Sequence, residues 1–149
     1  MEGNKKSGIY CMGSALVHAH KCHTVKNSVG YRCMDGQLKL SECSSFRDGW
    51  GVAVEDKVGS TTTSLEQVLV RQSSTTGFYV LGDVTNLNDG WILKNCAALK
   101  CAGHGLHLDS ESKRIDRAIV SKCGDIVDCA FHDNASDANK CRFCLGDAK

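Results

Sequence analysis

Proline is absent from this chain, although ordinary usage of about 5% would put roughly seven in a sequence this long. That absence removes Pro-rich linkers and PxxP ligands. It also leaves the turns to the 15 glycines and to Asn and Asp, which tolerate positive φ. Aromatic residues are scarce at 6%, so a core must be built mostly from Val, Leu, Ile, Ala and Cys. No apolar run approaches the roughly 18 residues that a membrane-spanning helix needs. A large excess of one charge is missing too: the formal net charge is +1, so any nucleic-acid binding must come from a local patch. A leader peptide is poorly supported. Lys5 and Lys6 precede an apolar run from Ile9 to Val17, and Val17-His18-Ala19 has the look of a cleavage site. Cys11, Gly13 and Ser14 interrupt that run, however, and cutting after Ala19 would leave nine cysteines, an odd number for a disulfide framework. The expectation is an intracellular protein, cytoplasmic or nuclear, without a membrane partner.

What is abundant is cysteine, ten residues, accompanied by six histidines. Disulfides and zinc are the two chemistries that use such a count. Close pairs favour zinc, because a two-residue gap lets both side chains of a tight turn reach one ion at about 2.0–2.3 Å. Cys129-Ala-Phe-His132 and Cys141-Arg-Phe-Cys144 join as Cys-x2-His-x8-Cys-x2-Cys, a four-ligand set of structural type, closed by the polar stretch 133–140. A second set is Cys96, Cys101, His104 and His107, with Gly103 and Gly105 flanking His104. A looser third group is Cys11, His18, His20, Cys22, His23, Cys33 and Cys43. On a strand His18 and His20 share one face, with Cys22 on it and His23 off it. The bland alternatives are a buried thiol at Cys129 beside a redox pair at Cys141 and Cys144, and histidines that serve no ligand.

Periodicity predicts an α+β domain: residues 1–8 disordered, a mainly antiparallel β-rich region over 9–99 with one or two short helices, and a zinc-organised helix and loop over 100–149. Asp35-Gly36 and Asp48-Gly49 mark turns, Leu38 with Leu40 and Trp50 with Val52 and Val54 alternate as strands, and residues 78–81 read as another. Thr63-Ser-Leu-Glu66 has the form of a capping box, and Leu65, Val68, Leu69 and Gln72 share a helical face. Asp109 to Cys123 is the stronger helix, capped by Asp109 or Ser110, with Ile115, Ala118, Ile119 and Lys122 at helical spacing and Gly124 to end it. One internal echo runs from Asp35-Gly36 to Cys43 and again from Asp89-Gly90 to Cys96, with unequal gaps that do not establish a repeat.

Function follows from these features as a set of alternatives. The leading one is a zinc-binding, non-enzymatic regulator that presents a metal-ordered surface to RNA or a protein partner. Its candidate nucleic-acid contacts are Lys113, Arg114, Arg117 and Lys122 on the helix and Lys140 and Arg142 on the zinc loop. Small cysteine-rich proteins of this kind occur among viral accessory regulators and silencing suppressors, an analogy of composition only. A cysteine-nucleophile hydrolase built on Cys96 with His104 or His107 lacks any signature around the cysteine. A metal-dependent nuclease using His18 and His20 lacks a third ligand and a placed base.

Overall fold

The structure is a computed structural model that describes residues 1–56, 62–82, 92–110, 126–127 and 130–132. Within these residues one three-strand cycle recurs five times. The first cycle is β1 (Ser7–Met12), β2 (Leu16–His20) and β3 (His23–Val25), and the second is β4 (Val29–Met34), β5 (Gln37–Ser41) and β6 (Ser44–Phe46). The third is β7 (Trp50–Asp56), β8 (Thr62–Glu66) and β9 (Leu69–Arg71), and the fourth is β10 (Phe78–Gly82), β11 (Ile92–Lys94) and β12 (Ala97–Leu99). The last is β13 (Leu106–Ser110), β14 (Ile126–Val127) and β15 (Ala130–His132). Equivalent strands of successive cycles pair in parallel, giving three five-stranded sheets. The architecture is a β-solenoid, each coil stacked about 4.8 Å above the one before.

Stacking turns strand alternation into rows that run along the axis. In the first sheet Ile9, Tyr31, Val52, Phe78 and Leu106 share one register position, and Cys11, Cys33, Val54 and Val80 share another. In the second sheet the row is Ala19, Leu40, Leu65 and Leu93, and in the third it is Thr24, Ser45, Val70 and Ala98. All of these side chains are buried except Ile9, which is half-buried in the first coil. Like stacks on like, so the core repeats a few small apolar shapes instead of interlocking many large ones. A sequence short of aromatics can fill such a core.

The corners are equally regular. Two residues join the second sheet to the third in each of the first four coils. The first of the two is left-handed, at Lys21, Glu42, Gln67 and Asn95, with φ of 52°, 51°, 53° and 52°. The second turns inward, at Cys22, Cys43, Val68 and Cys96; the last three are fully buried and Cys22 half-buried. The corner from the third sheet to the first opens with left-handed Lys26, Arg47, Gln72 and Lys100, followed by buried Asn27, Asp48, Ser73 and Cys101. Glycine has a different task. Gly8, Gly30 and Gly51 are the second residues of β1, β4 and β7, and Gly77 and Gly105 immediately precede β10 and β13; the first four lie against third-sheet residues Thr24, Val70 and Ala98. A Cβ on Gly30 would lie 2.6 Å from the Gly51 carbonyl oxygen and 2.7 Å from both Asp48 Oδ2 and Thr24 Oγ1, so only hydrogen fits there.

Asp48 ties the first two coils together at this corner. Its carboxylate is wholly buried and accepts from Thr24 Oγ1 (2.7 Å), Ser45 Oγ (2.6 Å), the Asn27 amide nitrogen (2.6 Å) and Asn27 Nδ2 (3.0 Å). A buried carboxylate without such donors would be costly, and here four donors replace water. Residues ahead of β1 extend this corner downward: Glu2 bridges Val25, and the Asn4 amide nitrogen donates to Asn27 Oδ1 (2.9 Å).

Two expectations from the sequence are overturned. The described residues are all-β, with no helix, and their sheets are parallel, so the α+β, antiparallel arrangement is wrong. Alternation fixes which face is buried but does not distinguish parallel from antiparallel neighbours, and the Asp-Gly turns bend the chain around a corner instead of reversing it. The helix expected over Thr63 to Gln72 is strand β8, a two-residue corner at Gln67-Val68, and strand β9. Its helical spacing arises because Leu65 points in from one sheet and Val68 from the corner, so an inward set interrupted by a bend imitates a period of 3.6. Asp109 and Ser110, expected as helix caps, close strand β13, while residues 111–123 of that expected helix lie outside the described residues.

Candidate functional site

The cysteines take their positions from the coil. Cys22, Cys43 and Cys96 form one corner row, and each thiol donates to the carbonyl two residues earlier: His20 (3.5 Å), Ser41 (3.3 Å) and Lys94 (3.4 Å). Cys43 and Cys96 also reach the coil below, at Ala19 O (3.4 Å) and Leu65 O (3.4 Å). Cys101 follows the left-handed Lys100, and burial pushes its thiol pKa up. A buried cysteine of this kind behaves as a small apolar side chain with a weak donor. The second zinc set is therefore split: Cys96 and Cys101 face inward, while His104 and His107 are half-exposed with ring centroids 4.9 Å apart. Among the described residues no group of three or more His, Cys, Asp or Glu is placed to hold a metal ion. In the first set only His132 is described, in β15 at the register position of Leu99; Cys129, Cys141 and Cys144 lie outside the described residues. So do Lys113, Arg114, Arg117, Lys122, Lys140 and Arg142.

The N-terminal Cys/His group is also dispersed. His18 and His20 share the exposed face of β2, as alternation predicts, but the left-handed Lys21 breaks the alternation. Cys22 consequently turns inward and His23 outward, the reverse of the expected pattern. His20 Nδ1 meets Ser41 Oγ at 2.9 Å, His20 Nε2 lies 4.0 Å from Glu42, and His23 Nδ1 meets Ser44 Oγ at 2.7 Å. These histidines are tied to neighbouring coils.

Two linear features stand out on the surface. One is a line of cations beside the corner between the third and first sheets. Lys26, Arg47 and Lys100 occupy the left-handed position in coils one, two and four, and Arg71 immediately precedes that position in coil three; all four are exposed. Four consecutive coils thus each place one cation here. Arg47 lies 4.9 Å over the Phe46 ring and donates through Nε to Gln72 Oε1 at 3.0 Å, which fixes its head group. Among the described residues one carboxylate pairs with this line, Glu2, at 3.7 Å from Lys26.

The other feature is a run of rings that starts at the corner and continues over the outer face of the first sheet. Trp50 and Tyr79 meet edge to face at 4.4 Å between centroids, Tyr79 and His107 at 5.4 Å, and His107 continues to His104. All four are half-buried. Tyr79 lies between inward Phe78 and Val80, and His107 follows inward Leu106, so alternation sends both outward. Lower on the same face Arg32 donates to Glu55 Oε1 through Nε (3.1 Å) and Nη2 (2.8 Å) and sits 5.9 Å from the Tyr10 ring centroid.

Neither feature was anticipated from the sequence, yet a signal existed. Cys22-x3-Lys26, Cys43-x3-Arg47 and Cys96-x3-Lys100 repeat one spacing three times, a cation at a fixed distance beyond the corner cysteine. Comparison of the chain with known protein families, with curated proteins and with solved structures returns no match.

Proposed function

We propose that this protein is a non-enzymatic binding module whose ligand is RNA, held through its phosphates along the corner between the third and first sheets. The observation that carries the reading is the line of Lys26, Arg47, Arg71 and Lys100, one exposed cation per coil on four successive coils. A rigid solenoid repeats such charges at a pitch of about 4.8 Å, so an extended polyanion meets them in series. The chain's net charge of +1 does not weaken this, because binding depends on the local line, and among the described residues the carboxylate of Glu2 pairs with it. Zinc on Cys129, His132, Cys141 and Cys144 rests on spacing alone, and a zinc count on tag-free protein tests it.

The test is fluorescence anisotropy of a labelled single-stranded oligoribonucleotide at low salt. The wild-type chain binds it, and the double variant Arg47→Ala, Lys100→Ala weakens binding by about tenfold or more while keeping the circular-dichroism spectrum. Equal binding by both proteins overturns the reading. Absence of RNA binding, with capture of a protein partner unaffected by these changes, moves the function to the other class of ligand.

A further inference from the structure

Resting on that reading, we infer that Trp50, Tyr79 and His107 form a stacking platform for unpaired bases, so that the ligand is single-stranded RNA read through its base faces. Geometry on the two features supports this. Arg47 and Trp50 belong to one short turn, with only Asp48 and Gly49 between them, and Lys100 precedes His104 across the equivalent turn two coils on. The three residue steps from Arg47 to Trp50 span at most about 10 Å, and the four from Lys100 to His104 at most about 14 Å. The cation line and the ring run therefore flank the same corner. A nucleotide presents the same pairing of groups, a phosphate at one side and a flat base at the other. Phosphates on Lys26, Arg47, Arg71 and Lys100 bring the attached bases to the side of the corner where the rings stand.

The rings suit that role for three reasons. They are half-exposed on a chain whose other described rings include a fully buried Tyr31 and Phe78, so large apolar area is presented outward although inward positions exist for it. They meet one another edge to face, a geometry that holds the run stiff at little entropic cost to a ligand. They also step from the third coil to the fourth and fifth, so the platform follows the axis along which the cations repeat. Every base has a π face, and stacking on aromatic side chains is tolerant of sequence, so the platform distinguishes single strands from duplexes without selecting one base.

The experiment separates this inference from the reading beneath it. Trp50 and Trp91 are the two tryptophans, and a Trp91→Phe background leaves Trp50 as the only reporter. The protein is titrated with a single-stranded oligouridylate and, separately, with inorganic polyphosphate, which has the charge but no bases. Oligouridylate is expected to bind and quench Trp50 emission, and polyphosphate to bind without quenching. Tyr79→Leu is expected to weaken oligouridylate binding by about tenfold while leaving polyphosphate affinity unchanged, and Tyr79→Phe to restore it. Binding of both polyanions with no quenching and no effect of Tyr79→Leu overturns the platform and leaves the cation line standing. Failure of both to bind overturns the cation line and the platform with it.

Discussion

Tyr31 shows how a polar group is carried inside a coil stack. It is fully buried, and its hydroxyl donates to the carbonyls of Cys22 (2.6 Å) and Ser44 (3.0 Å), which belong to adjacent coils at one corner. Burial, with the nearby Cys43 thiol, drives its pKa far above the ordinary 10.0, and burial raises Cys101 above its ordinary 9.0. In both cases the folded state keeps a proton that the unfolded chain releases. Unfolding then sheds protons above these ordinary values, so the stability these groups contribute is intact below pH 9 and falls as pH rises beyond it. Thermal melts from pH 7 to 11 should show a decline that begins near 9 and steepens above 10. Each group adds at most about 1.4 kcal/mol per pH unit to the slope. Tyr31→Phe should remove the steeper part; an unchanged profile in that variant would show that the phenol is not the titrating group. At this scale the sequence was legible at Leu38, Leu40, Val52 and Val54, which are buried as expected, but not at Trp50, which shares their alternation and is half-buried against Tyr79 at the corner. It was opaque at Cys22 and His23, because one left-handed residue at Lys21 reverses every face after it.

Elements here are short strands joined by corners, and the corners make the unusual demand. Nine non-glycine residues among those described have positive φ, and most are Lys, Glu, Gln or Arg. The expectation that glycine, Asn and Asp would make the turns therefore fails at most positions, while glycine is used where coils approach closely. Long polar side chains tolerate the left-handed region at a cost of order 1 kcal/mol each, whereas β-branched residues do so much less readily. Gln67, exposed with φ 53°, isolates that cost from packing. Gln67→Val is expected to lower unfolding free energy by about 1 kcal/mol or more, and Gln67→Asn to hold or slightly raise it, as measured by urea denaturation. Equal effects of the two substitutions would contradict the corner geometry. The helix misread over Thr63 to Gln72 has the same origin: of Leu65, Val68, Leu69 and Gln72 only Leu65 and Val68 face the core, and after the bend the next inward place falls to Val70 while Gln72 is exposed.

Across the whole molecule the coils lengthen as they rise. Third-sheet partners run His23, Ser44, Leu69, Ala97 and Ala130, so each coil takes in more chain than the last. The extra residues enter mainly between the first and second sheets, while the two-residue corner and the short third strand stay constant through the first four coils. A drifting period is why the echo between Cys43 and Cys96 fell short of a repeat by spacing alone; the Cys-x3-cation motif, confined to the constant part of the coil, was the legible portion. The same constancy places Lys26, Arg47, Arg71 and Lys100 along one corner. Counterion release gives that line a measurable signature, because each phosphate neutralised on a single strand contributes about −0.7 to the slope of log K against log salt. The most direct measurement is that slope, taken by anisotropy with single-stranded RNA between about 50 and 200 mM salt. The wild-type chain should give a slope of about −2 to −3, falling toward zero when Lys26, Arg47, Arg71 and Lys100 are all replaced by alanine. A wild-type affinity indifferent to salt, or a slope unchanged by the fourfold replacement, would contradict it.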